Sequence, residues 1–470
     1  MSNNEVGSEK IGQKALTRRQ FLRMAGGTGA GVLAAACAPQ IVEVEKEVAV
    51  EQIVEKIVEV EVGTKTVKMW MLPNFNPLID LHLIKAGTAA GDVLGIDVLV
   101  EPVQTGGWQE NVARLTAAHE AGTAADIICP QLGSVGFMQQ GIVAPIGDVF
   151  DQVGADGGGW TDVVMNNFAL DGTGYLLCIG HAPAYLHIRE DLVNEAGFSL
   201  PYDSLDELKE CAAAINDPAN GVWGTGMAYA EADDLMHLNP LLWCFGGSCW
   251  DENSNPVLTQ PENVEALTWY VSLYQDGLSP EASVSWGGGG NNQGYLSGQV
   301  AMAMNPGSIL AAVRRGDHSV DGLLEKTAVG PWPAADPSIG PQAQTEAGQA
   351  YGVWSGSRLM DESKQVLSQM WNLDSYIELQ RMGQSYLFPA LYGAYEDEFF
   401  SDDKQNQEIL KTVIPIMKDE SWPSPPQAYT SLWATWAGPA CLRVLVDGWT
   451  PADALAEAQE TVEAVKAEYA

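Results

Sequence analysis

The sequence predicts an α/β protein folded as two lobes that face each other across a central cleft. Three observations predict it. Strand-like apolar runs alternate with amphipathic helical runs at spacings that build parallel sheets with helices on their faces. About 430 residues follow the N-terminal leader, more than one sheet of this kind organises. Open parallel sheets hold ligands beyond the carboxyl ends of their strands, so such a chain offers a cleft between lobes.

From Lys65 the elements follow in order. TVKMWML (66–72) reads as a buried strand that ends in the Pro/Asn loop PNFNP. GIDVLVEPV (95–103) is a second strand, GWQENVARLTAAHEAG (107–122) an amphipathic helix closed by Gly122, and ADIICP (125–130) a third strand. GIVAPIGDVF (141–150) is expected to return the chain to the surface. Ser204 and Glu207 form a capping box for SLDELKECAAAIN, which stops at the turn DPANG. Thr259 and Glu262 offer the same box to the helix ended by Gly277, and Thr450 with Pro451 starts the closing helix.

The leader reads TRRQFLRMAGGTGAGVLAAACAPQ over residues 17–40. Its glycines, Gly26, Gly27, Gly29 and Gly31, follow a charged segment instead of a strand, which argues against a dinucleotide loop. The apolar run from Met24 to Ala36 is shorter than the roughly 20 residues a membrane span needs. A positive region, a short apolar region and small residues before a processing point make an export signal. Thr17 to Leu22 looks like a twin-arginine signal, and Leu33 to Cys37 resembles a bacterial lipobox, implying removal of residues 1–36 and acylation of Cys37. The Val/Glu-rich tract 41–62 suits a strand by its alternation and a helical stripe by Ile53, Ile57 and Val60; its position suggests a stalk.

Charge is lopsided, 61 acidic against 24 basic residues for a net of −37, and such a surface repels nucleic acid and anionic lipid headgroups. A hydrophobic content of 46% with 15 Trp excludes a mainly disordered chain. No later run of 18 apolar residues occurs, so lipid on Cys37 is the expected membrane attachment. Cys244 and Cys249, in CFGGSC, are close enough in sequence to close a disulfide loop, while Cys129, Cys178, Cys211 and Cys441 lie in apolar contexts and read as buried thiols. The dispersed histidines and the lack of a CxxC pattern suggest no metal, and nothing points to a cofactor.

Catalytic signatures are missing: there is no GxSxG, HExxH or GxxxxGK[ST]. SWGGGGNNQG (285–294) lacks the Lys and hydroxyl of a phosphate loop and reads as a flexible loop beside a binding surface. The positive signal is aromatic residues in Gly/Pro-rich settings: Phe75, Trp243, Trp250, Trp286, Trp332, Trp354, Trp433 and Trp436. An aromatic face suits the C–H face of a pyranose or a cation. Gln131, His181, Asn305 and Gln427 are candidate hydrogen-bonding partners for hydroxyls.

Four stretches in this order, ENVARLTAAHEAGTAADIICPQ, AYLHIREDLVNEAGFSLPYDSLDELKECAAAIN, GYLSGQVAMAMNPGSI and GWTPADALAEAQETVEAV, resemble the extracellular solute-binding proteins of ABC importers, in the sugar-binding group that includes maltose-binding protein. The resemblance implies a periplasmic-binding-protein-like type II fold, with lobe 1 over 65–181 and 351–386 and lobe 2 over 182–350 and 387–470. It implies crossings near Gly180–Ala184, Ala347–Gly352 and Tyr386–Pro389, and hinge closure on the ligand. It places Phe75, Asn76, Gln131, His181, Ser308 and Trp433 at the cleft, joining Trp243, Trp286, Trp332 and Trp354 from the aromatic set. Ser308 and Ala182 stand where the family often has an aromatic and a carboxylate, which leaves the ligand open. The expectation is a monomeric, lipid-anchored, non-catalytic receptor delivering a sugar to membrane permease subunits. The alternatives are a secreted carbohydrate-active enzyme and a receptor for a cationic solute such as a polyamine.

Overall fold

A computed structural model describes residues 65–105, 108–131, 134–230, 234–419, 422–423 and 436–468. Cys37, the 41–62 tract, Gln427 and Trp433 lie outside the described residues.

Strand β1 (Thr66–Met71) leads into helix α1 (Pro77–Leu94), followed by β2 (Asp97–Pro102), α2 (Trp108–Ala121) and β3 (Ile127–Ile128). Both β2 and β3 run parallel to β1, with Thr66 opposite Asp97 and Met69 opposite Ile127. Val67, Met69 and Met71 of β1 are buried and Lys68 is exposed, the period-2 alternation of a strand with one face on the core. The chain continues through β4 (Leu177–Cys178), β5 (His181–Arg189), α3 (Leu205–Ile215), α4 (Asp234–Cys244), α5 (Pro261–Gln275) and α6 (Gly290–Leu296). Then come β6 (Met302–Asn305), α7 (Ser308–Arg315), β7 (Thr327–Gly330), β8 (Ala343–Ala347) and β9 (Ala350–Val353). Helices α8 (Met360–Met370), α9 (Leu373–Gly383) and α10 (Lys404–Thr412), strand β10 (Met417–Asp419), and helices α11 (Ala437–Leu445) and α12 (Pro451–Glu468) complete it.

Two five-stranded sheets define the two lobes. The first has the order β2–β1–β3–β9–β4; the second runs β10–β8–β5–β6, with β7 also paired to β5. Each sheet has its own core, one around Met69, Ile127, Leu177 and Leu367 and the other around Leu186, Leu241, Leu267 and Leu455. All nine residues of β5 are buried, as expected of a central strand covered on both faces.

The chain passes between sheets at Ile179–Gly180, at Gly348–Gln349 and beside Phe388. These passages are stitched together: Gly348 N donates to Gly180 O at 2.9 Å, and Ile179 N to Gln349 O at 3.0 Å. His181 and Phe388 exchange both backbone bonds, at 2.8 and 2.9 Å.

Most of the start and stop signals read from the sequence act as physics dictates. Ser204 Oγ accepts from Glu207 N at 3.1 Å, Thr450 Oγ1 accepts from Asp453 N at 3.1 Å, and Gly122 and Gly277 take φ of +65° and +74° after their helices. Three expectations need correction. Pro261 sets the start of α5, so the cap position falls on Gln260, and Thr259 instead bonds Gln459 of α12 at 3.2 Å. GIVAPIGDVF does not return to the surface, because Val143, Ile146 and Phe150 sit in the first core. SWGGGGNNQG is in part helical: α6 buries Asn291 completely, with its amide donating to Met304 O at 3.1 Å. The Pro/Asn loop after β1 is present as expected, and it ends where Asn76 caps α1 and Pro77 fills its first turn. No helix among the described residues is long and apolar enough to cross a membrane.

Candidate functional site

A cavity of about 310 Å³ opens where the carboxyl ends of the three parallel strands meet the passages between lobes. Leu72, Pro73 and Asn74 follow β1, Gln104 and Thr105 follow β2, and Gln131 follows β3. Opposite them stand Ala182 of β5, the Glu346–Gln349 run at the end of β8, and Tyr386 with Leu387. This is the crevice that parallel strands create, because their last backbone groups point beyond the sheet.

The wall mixes apolar residues with polar ones, and its polar residues are neutral apart from Glu346. Asn74 is held from below: its backbone N and its Nδ2 both donate to Asp80 Oδ1, at 2.9 and 2.8 Å. Asn74 Nδ2 also reaches Gln349 Oε1 at 3.3 Å, and Tyr351 OH donates to the same oxygen at 2.8 Å. This chain of bonds ties the end of β1 to the second passage. Burial raises the Asp80 carboxyl to about 6, against the smaller lowering effect of the bonds from Asn74. At the rim, Phe75 is 49% exposed and stacks on Tyr386, with ring centroids 6.3 Å apart and planes 24° from parallel.

The residues singled out from the sequence separate into three groups. Gln131 lines the cavity, with φ of +54°, and Phe75 reaches it through Tyr386. A second group sits behind the wall. Asn76 is fully buried: its Oδ1 accepts from Leu78 N at 3.1 Å and its Nδ2 donates to Gly383 O at 2.8 Å. It therefore braces the segments that carry Phe75 and Tyr386 instead of facing a solute. Asn76→Ala is expected to cost about 2–3 kcal/mol in urea denaturation, from a lost cap and a lost buried hydrogen bond. His181 is also buried, its ring between Thr345 Oγ1 at 3.3 Å and Tyr395 OH at 2.9 Å. Strand alternation turns His181 away from the face on which its neighbour Ala182 meets the cavity. Ser308 belongs to a buried amide network, accepting from Asn292 Nδ2 at 3.1 Å and Asn305 Nδ2 at 3.0 Å.

The third group is core. Trp332 is fully buried edge-on to Trp269, and Trp354 donates to His119 Nδ1 at 3.0 Å inside the first lobe. Trp286 packs on the cluster around Tyr295 and Val300. Trp243 is buried edge-on to Trp422, whose ring lies 3.7 Å from Lys418 Nζ. These four Trp residues, Trp243, Trp286, Trp332 and Trp354, thus serve packing, because their large apolar area is more easily covered by two helix-bearing lobes than left in a polar crevice. Cys244 and Cys249 are free buried thiols, not a disulfide; Cys249 Sγ donates to Asn239 Oδ1 at 3.0 Å. Burial pushes the Cys129 and Cys178 thiols up to about 12, which keeps them protonated. Among the described residues no group of three or more His, Cys, Asp or Glu could hold a metal ion.

Sequence reading missed Leu72–Asn74, Gln104, Thr105, Glu346–Gln349 and Tyr386 as wall residues. A usable signal existed for the first two sets, since each directly follows a predicted parallel strand. No local signal marks Glu346–Gln349, which reaches the cavity through the pairing of β8 with β5.

Comparison with known proteins agrees with this fold. The family model described as bacterial extracellular solute-binding protein matches residues 93–368, more than half of the chain. A solute-binding protein of an ABC transporter from Thermotoga lettingae, solved with α-D-tagatose, superposes with a TM-score of 0.73 at 20% identity, covering 86% of this chain and 100% of that one. A maltose-bound protein of T. maritima gives a TM-score of 0.72 at 18% identity over 85% and 99% of the two chains. Both likenesses show the two-lobed fold. Relatives in Brucella abortus (strain 2308) and Brucella suis biovar 1 (strain 1330), named no more specifically than binding protein, are 27% identical over 197 residues, 42% of this chain and 47% of theirs. The chain matches about half the length of these curated relatives. From the family match and the shared two-lobed fold, the chain belongs to the bacterial extracellular solute-binding protein family.

Proposed function

We propose that the protein is the receptor of an ABC importer for a neutral sugar or oligosaccharide, held in the cleft behind the Phe75–Tyr386 stack and delivered to the permease by lobe closure. The observation that carries this reading is the composition of the wall: Asn74, Gln104, Thr105, Gln131 and Gln349 offer amide and hydroxyl groups to a solute's hydroxyls, and the two rings supply a C–H-binding face. The bound sugars of the Thermotoga lettingae and T. maritima structures support it. Closure would follow from tighter binding to the closed state. Glu346 on the wall favours a second reading, a cationic solute such as a polyamine. Glycoside hydrolysis would need a facing pair of carboxylates, and Glu346 is the single one among the described wall residues.

The test is a thermal-shift screen of neutral saccharides, polyamines and amino acids, with isothermal titration of any hit. A neutral saccharide is expected to raise the melting temperature, and Tyr386→Ala to weaken its binding roughly tenfold. A polyamine raising it instead, or product release at catalytic rates, would sink the sugar-receptor reading. We further propose export by the twin-arginine route and anchoring through acylated Cys37, with tract 41–62 as stalk and the receptor acting as a monomer. Cys37→Ala is expected to move the protein from the membrane fraction to the soluble fraction; unchanged fractionation overturns the anchor.

A further inference from the structure

We infer that Arg314 is a positioning residue for this cleft: from the second lobe it holds the Gln384–Ser385 backbone in a left-handed turn, and that turn sets Tyr386 against Phe75. The inference rests on the reading of the cleft as the solute site. Gln384 and Ser385 have φ of +55° and +64°, two consecutive non-glycine residues in a region that L side chains avoid. Such a pair persists where surrounding contacts over-determine it.

Those contacts converge from α7. Arg314 Nη1 donates to Gln384 O at 3.3 Å and to Ser385 Oγ. Arg314 Nη2 donates to Asn406 Oδ1 at 3.2 Å and pairs with Asp403, while Ser385 Oγ donates to Asn406 Oδ1 at 2.6 Å. The Arg314 side chain is only 6% exposed, so the fork is fixed by its partners and not by solvent. At the other end of α7, Gly307 lies so close that an added Cβ would stand 1.8 Å from Ser385 O. Helix α7 therefore grips the turn at two points. From the first lobe the turn is met by Asn76, whose amide donates to Gly383 O, the same oxygen that accepts from Tyr386 N at 3.0 Å. Released from the fork, Gln384 and Ser385 would relax toward negative φ and carry the Tyr386 ring off Phe75. Lysine cannot replace the fork, because a point charge does not span Gln384 O, Ser385 Oγ and Asn406 Oδ1 together.

The test reads the ring directly, without solute, in the full-length protein carrying a single 3-fluorotyrosine at position 386. Phe75→Leu calibrates the fluorine shift of an unstacked ring. Arg314→Gln is expected to move the resonance toward that position and broaden it. Adding Gln384→Gly and Ser385→Gly, which accept positive φ without the steric penalty of an L side chain, is expected to move it back toward the wild-type position. A resonance unmoved by Arg314→Gln, or one displaced but not moved back by the two glycines, overturns the assignment. Should Arg314→Gln fail to fold, Ser385→Ala keeps the Arg314–Asp403 pair and removes one contact of the fork. It must then displace the resonance part of the way, and an unmoved signal again overturns the inference. Because no solute enters the measurement, a failure to bind saccharides counts against the cleft reading alone.

Discussion

Gly348→Ala is expected to destabilise the protein by about 3 kcal/mol or more. The added Cβ would stand 2.3 Å from Gly180 O, a backbone oxygen that is also the acceptor for Gly348 N at 2.9 Å. A flexible side chain could swing aside, but here the obstacle is the first passage itself. Gly180 cannot retreat, because a Cβ on it would in turn meet Phe388 O at 2.7 Å, and its φ is +150°. The three passages are therefore packed backbone on backbone, and relief requires them to separate. Gly330→Ala is the control: it sits in β7 with nothing within 4 Å of the added carbon, and a change within about 1 kcal/mol is expected there. Urea denaturation of both variants at pH 7 is the measurement. A Gly348→Ala protein as stable as wild type would show that the passages are not in this packed arrangement in solution.

The second large effect is loss of stability in acid. His181 is held down to about 4, and His187 and His237 to about 3, in each case chiefly by burial. A histidine whose folded pKa lies below its unfolded value of about 6.5 stays neutral in the native state while the unfolded chain takes up a proton. Each therefore contributes stability that is present above about pH 6.5 and lost as the pH falls toward the folded value. Over the whole window the loss is about 3–5 kcal/mol per histidine, comparable in sum with the total stability of a typical domain. Asp80 acts in the opposite direction. Its carboxyl is raised to about 6, so between that pH and about 4 the native state takes up the proton first and gains stability. The net expectation is a steep acid limb that becomes dominant below about pH 5. His187→Phe isolates one contribution, because neither ring nitrogen of His187 has a hydrogen-bond partner among the described residues and a phenyl ring forfeits none. It is expected to flatten the limb by about 2–3 kcal/mol between pH 7.5 and 4.5 while leaving neutral-pH stability within about 1 kcal/mol. An unchanged limb in urea titrations at pH 7.5, 5.5 and 4.5 would remove His187 from this account.

Legibility differed with the range of the interaction. The first three strands, the helix α2 and the caps at Ser204 and Thr450 were readable, because a strand's alternation and a hydroxyl three residues from its partner are local facts. Helix α1 was hidden behind PNFNP, although Asn76–Pro77 is itself a start signal. The tryptophans misled for a definable reason: Gly/Pro-rich context reports loop character, not whether a second layer covers the loop. Trp332 bridges Gln342 through two backbone bonds of about 3 Å and is covered by Trp269, and nothing within ten residues announces that cover. Asn76 and Ser308 were drawn to the cleft by position, yet each has its polar atoms satisfied by main chain or by neighbouring amides.

By itself, then, the sequence determined the α/β class, the alternation of elements and the order of strands that would meet a ligand at their carboxyl ends. It also carried the family's ordered stretches. Only the tertiary structure decided which polar groups face the cavity. Asn74, Gln349 and Tyr386 are brought together from the end of β1, the second passage and the approach to the third, and that convergence depends on the packing of Gly180 against Gly348 and on the grip of α7 on Ser385. Periodicity is a property of neighbours along the chain, whereas a cleft wall is a property of neighbours across it.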